Sequence, residues 1–107
     1  MANRKLRNLD AVEEAYLREH PDEMDAYIRD IFEEFAQTQN ASALLASLRV
    51  IARVKGISDI AAHIGVTRQG LQKALSAKGN PRFENINAIM NAFGYRLMPQ
   101  KIDRDVA

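Results

Sequence analysis

Apolar residues recurring at steps of three and four mark most of this chain as helical. The most regular run is Met24, Tyr27, Ile28, Ile31, Phe32 and Phe35, one face of an amphipathic helix. His20-Pro21 stands before it. Proline suits a first helical position, and Asp22, Glu23 and Asp25 complement the dipole of the first turn. Upstream, Val12, Tyr16 and Leu17 predict a shorter helix with Asp10 as its N-cap. Gln37–Asn40 reads as a polar connector.

The pattern predicts a third helix from about Ala41 to Lys55, burying Leu44, Leu45, Leu48, Ile51 and Ala52, with Gly56 as its stop. Ser58 is expected to cap a helix over Asp59–Ile64 that Gly65 ends. Thr67 is expected to cap another over Arg68–Ser76, stopped near Lys78-Gly-Asn-Pro81. A last helix, about Glu84–Phe93, carries Phe83, Ile86, Ile89, Met90 and Phe93 on one face, and Gly94 ends it. Tyr95–Pro99 alternates apolar and polar, predicting a short strand that Pro99 confines to an edge. The expected fold is all-α, with five to six helices and a short C-terminal edge strand. Three parts are expected: an acidic helical extension over 1–40, a helical domain over 41–99 and a charged, flexible tail over 100–107.

Composition narrows the function classes. A chain of 107 residues that is 47% hydrophobic can build one real core. It has no cysteine, which excludes disulfides and thiolate metal sites and fits a reducing cytoplasm, the expected location. No apolar run approaches the roughly 20 residues of a membrane span, and Met1–Arg7 lacks a signal-peptide core, so no membrane association is expected.

The net charge of +1 hides a division. Residues 8–40 hold ten acids against Arg18 and Arg29, a balance of −8, and residues 41–101 hold nine bases against Asp59 and Glu84, a balance of +7. Two halves of opposite sign point to different partners, and only the second has the sign a phosphate backbone attracts.

Within the basic half, Ile57–Ser76 has the spacing of a helix-turn-helix. Ala61 is small where two helices would cross, Gly65 tolerates the positive φ of a turn, and Val66, Leu71, Ala74 and Leu75 would face inward. Arg68, Gln69, Gln72 and Lys73 then project outward from the second helix. Arg can grip guanine and Gln adenine, each bidentate, so these four are the candidate base-contacting residues. Candidate phosphate contacts are Ser58 and Thr67 at helix N-termini, with Lys55, Lys78, Asn80 and Arg82 in the adjoining loops. Taken singly, each signal also fits an ordinary three-helix core with a solvated polar face. Their joint occurrence in an acid-poor stretch favours DNA.

The stretch from about Ser47 to Met98 resembles the lambda-repressor-like helix-turn-helix families. More narrowly, Leu48-Arg-Val-Ile-Ala-Arg-Val-Lys-Gly56, Leu75-Ser-Ala-Lys-Gly-Asn-Pro-Arg-Phe83 and Phe93-Gly-Tyr-Arg-Leu97 are similar to the probable addiction-module antidote proteins, antitoxins of the HigA type. The resemblance covers about half the chain firmly and implies a homodimer that binds a pseudo-palindromic operator and represses its own operon. It also implies a cognate toxin of ribonuclease type as protein partner, without naming the residues that hold it.

Catalysis is not expected. His20 and His63 are the only histidines and make no metal-ligand pair, and Glu33-Glu34 and Asp22-Glu23-Asp25 lack an accompanying nucleophile; no metal or cofactor is expected. The Tyr27, Phe32 and Phe35 stripe suits core or dimer packing better than toxin binding, and Tyr95–Met98 could pair as a strand across a two-fold axis. Two other readings stay open: a stand-alone prophage-type repressor, and a helical protein-interaction module that does not bind DNA.

Overall fold

Among the described residues, six α-helices and one 3-10 turn follow one another: α1 (Ala2–Glu19), the turn Pro21–Glu23, α2 (Met24–Thr38), α3 (Ala41–Lys55), α4 (Ile57–Ile64), α5 (Arg68–Ala74) and α6 (Phe83–Phe93). The structure, a computed structural model, describes residues 2–76 and 78–103, with side chains from Leu9 onward. Residues 104–107 of the expected tail lie outside the described residues.

Helix boundaries follow local chemistry. Gln39 takes a left-handed conformation (φ 58°) after α2, and its side-chain amide donates to the Phe35 and Ala36 carbonyls at 3.2 and 3.1 Å. Two of the last-turn carbonyls of α2, a turn whose carbonyls lack partners further along the helix, are thereby bonded. One residue later, Asn40 Oδ1 accepts the Ala43 N–H at 3.1 Å and caps α3. A side chain that ends one helix and another that begins the next make Gln39-Asn40 a tight corner.

α3 is the centre of the molecule. Leu45, Leu48, Val50, Ile51 and Ala52 are all buried, so this helix is apolar around most of its circumference and not along one stripe. α1 and α2 pack against it, and so does α4, which in turn contacts α5 and α6. Leu17, Met24, Ile28 and Ile31 therefore share one core with Ile60, Leu71, Leu75, Ile89, Met90 and Phe93. Each fully buried aliphatic or aromatic side chain contributes roughly 1.5–3 kcal/mol relative to leaving it exposed. α1 is also bonded to the end of α3. Arg18 donates to the Arg53 carbonyl at 2.9 Å and pairs with Glu14 at 2.8 Å.

Six expectations change. α1 begins at Ala2, so Asp10 lies inside a helix and has no unpaired first-turn amides to cap. α4 begins at Ile57, and Ser58 makes no capping bond. α5 ends at Ala74, two residues short of Ser76. Phe83 opens α6 but is 75% exposed, standing at the first position of the helix beyond the buried Ile89, Met90 and Phe93, and Val66 is likewise exposed in the turn before α5. Finally, the described residues contain no strand. Tyr95–Pro99 has no second strand to pair with and lies against the helices instead. Tyr95 and Leu97 pack on the core, Arg96 and Met98 face solvent, and the Tyr95 hydroxyl donates to Asp25 of α2.

Candidate functional site

Gly65 (φ 80°) turns the chain between α4 and α5, and the Val66 N–H bonds to the Ala61 carbonyl at 3.0 Å. Ala61 is buried on a helix that packs against α3, α5 and α6, where a larger side chain would hold them apart. Thr67 then caps α5, its Oγ1 accepting the Gly70 N–H at 2.9 Å. A Cβ on residue 70 would stand 3.1 Å from that oxygen, so the glycine keeps room for the cap.

α5 has seven residues, too few to be stable alone. It is held at three points: the Thr67 cap, the buried pair Leu71 and Leu75, and Arg49 of α3, whose guanidinium donates to the Leu75 carbonyl. Burial pushes the Arg49 pKa below its ordinary value and the neighbouring Arg53 adds to that, while Asp10 opposes them. A guanidinium keeps its charge through such a shift.

The four residues expected to read bases are all exposed, and they fall on two faces. Gln69 and Lys73, four apart, share one face, while Arg68 and Gln72 share the next. Arg68 donates to Ser58 Oγ of α4 at 3.0 Å, so one candidate base contact and one candidate phosphate contact are tied together. Gln72 lines a small cleft with Arg49, Arg53 and Ile57. Neither arginine was among the sequence candidates, although their spacing of four on a helix expected over 41–55 was the signal that they share a face.

Lys73 faces the other way, into an open groove of about 390 Å³ that also brings together Lys78, Asn80 and Arg82. Gly79 makes this convergence possible. A Cβ there would meet the Ala74 carbonyl oxygen at 2.2 Å, so the loop can lie this close to the end of α5 only with glycine. Arg82 lies 3.8 Å from Glu84, with both side chains largely exposed; such a pair contributes at most about 1 kcal/mol and leaves the guanidinium available. Lys55 is exposed at the end of α3 and lines neither hollow, and the Thr67 oxygen is occupied by its cap. The arrangement is a polar, cationic surface around an open groove. It can bind anions and hydrogen-bonding edges.

Comparison with known proteins gives the chain's family. Residues 5–101 match the family described as probable addiction module antidote protein, so the match takes in the acidic helices as well as the basic half. A Haemophilus influenzae protein described as uncharacterized is 33% identical over 97 residues, covering 91% of this chain and 93% of that protein. No solved structure matches the chain.

Proposed function

The chain belongs to the family of probable addiction module antidote proteins, and from that membership we propose that it is a DNA-binding antitoxin. In this reading α4 and α5 form a helix-turn-helix of the lambda-repressor-like type, and α5 enters the major groove. Gln69 and Lys73 meet base edges directly. Arg68, steadied by Ser58, and Gln72, backed by Arg49 and Arg53, read beside them. Lys78, Asn80 and Arg82 hold the phosphate backbone and set the register.

The observation that carries this reading is the convergence of Lys73, Lys78, Asn80 and Arg82 along the exposed side of a short helix fixed at three points. A helix held this firmly can transmit sequence preference. The protein works in the cytoplasm as a homodimer on a pseudo-palindromic operator in its own promoter, with half-sites about one helical turn apart. It also neutralises a ribonuclease-type toxin encoded beside it.

The test is binding to the DNA upstream of its own gene over a range of salt concentrations. The expected result is tight, saturable binding whose affinity falls steeply with salt, with a shallower slope for Lys78→Ala. Binding no tighter than to unrelated DNA would overturn the regulatory reading.

A further inference from the structure

We propose that the α1–α2 face is the surface on which this protein takes a basic protein partner, through an apolar ridge of Leu9, Val12 and Tyr16 bordered by carboxylates. The proposal rests on the antitoxin reading and assigns that toxin its docking surface.

Leu9, Val12 and Tyr16 are spaced three and four apart on α1 and are 52, 65 and 46% exposed, although the molecule has a full core. Exposed apolar side chains aligned on one helix face mark an interaction site more often than scattered ones do. Val12 and Tyr16 border a groove of about 280 Å³ between α1 and α2, whose rim carries Glu13, Glu23 and Asp30. Tyr16 is fixed in place. Its ring stacks on His20 with centroids 4.2 Å apart, and its hydroxyl donates to Glu23. An exposed aromatic already ordered before binding loses little entropy when a partner covers it. In the aromatic stripe of α2, Tyr27 and Phe32 are partly buried against the core, and Tyr27 also lines this groove.

Charge identifies the occupant. Residues 8–40 carry −8, and one of their two bases, Arg18, is committed to Glu14 and the Arg53 carbonyl. The carboxylates crowd each other: burial and the neighbouring Asp10 both raise the Glu13 pKa above its ordinary value. A second copy of this chain would bring two such faces together and add repulsion. DNA would be repelled outright. A protein presenting Lys or Arg around an apolar patch relieves the crowding and covers the ridge.

The experiment is pull-down and titration of the full-length chain with the purified product of the adjacent reading frame, alongside binding to its own upstream DNA. The parent is expected to bind that protein, more weakly at higher salt. Val12→Arg is expected to weaken the complex about tenfold or more while DNA binding is unchanged, since losing one ridge contact of at least 1.4 kcal/mol is a factor of ten. Glu13→Gln with Asp30→Asn tests the rim without touching the ridge and is expected to flatten the salt dependence. If Val12→Arg and the rim variant both bind like the parent, the surface assignment is overturned and the antitoxin reading stands. If the parent binds no product of the adjacent frame, the antitoxin reading itself falls. If Val12→Arg instead dissolves a homodimer, the occupant is a second copy and the proposal is wrong.

Discussion

Arg68 of α5 donates to Ser58 of α4 at 3.0 Å, tying the first turn of one helix to the first turn of the other. Only one guanidinium donor is spent, so the remaining fork is aimed and not consumed. Arg68→Ala should cost operator binding roughly 1–3 kcal/mol and relax preference at one base pair per half-site. Ser58→Ala should cost less, about 0.5–1.5 kcal/mol, because it removes the support and leaves the reader. Titration of both variants on the operator and on single-base variants of it checks this. A larger loss for Ser58→Ala would mean that the serine contacts DNA itself.

Thr67 supplies the side-chain cap at the N-terminus of α5. Thr67→Ala should lower stability by about 1 kcal/mol, and Thr67→Ser should recover most of it. Urea midpoints of the three proteins decide the matter, and equal midpoints would show that Leu71, Leu75 and Arg49 hold the helix without the cap.

Gly79 lies against the end of α5 so closely that a Cβ would overlap the Ala74 carbonyl oxygen. Gly79→Ala should therefore shift the loop and move Lys78, Asn80 and Arg82 away from Lys73. Affinity should fall evenly across DNA sequences, with stability lower by roughly 1–3 kcal/mol. Loss of preference at a single base pair, with overall affinity intact, would contradict this account of the loop.

Glu13 gives a pH signature. Its carboxyl is raised above 4.5 by burial first and then by Asp10, with Glu34 adding and the Tyr27 hydroxyl opposing. The folded state thus holds this proton more tightly than the unfolded chain does. Between the ordinary and the raised value, stability falls as pH rises; the penalty is absent below that window and complete above it. Glu13→Gln should flatten this part of the stability–pH profile and leave the protein at least as stable as the parent at pH 7. A lower urea midpoint for the variant at pH 7 would refute it.

Much of this architecture was legible in the sequence where a local device sets it. Ala41–Lys55 was bounded by a polar connector and Gly56, and Thr67 and Gly65 fixed the start of α5 and the end of α4. What escaped depends on distant neighbours. Asp10 has the chemistry of a cap, but a helix already running from Ala2 leaves it nothing to cap. The alternation over Tyr95–Pro99 pointed to a strand, and the absence of a partner strand among the described residues lay outside any local pattern. Phe83 fits the period of α6 yet projects past its neighbours. Arg49 and Arg53 were passed over because only the packing of α3 against the rest brings them beside Gln72.

The placement of α3 has a kinetic consequence. α2 and α4 adjoin it through short connections and α1 reaches it across α2, so its partners lie one or two helices away along the chain. The Tyr95–Asp25 bond spans 70 residues and is an exception that can form last. Chains dominated by such local contacts fold in roughly microseconds to milliseconds. Under the proposed function, each protomer would then have its acidic and its basic face formed soon after synthesis.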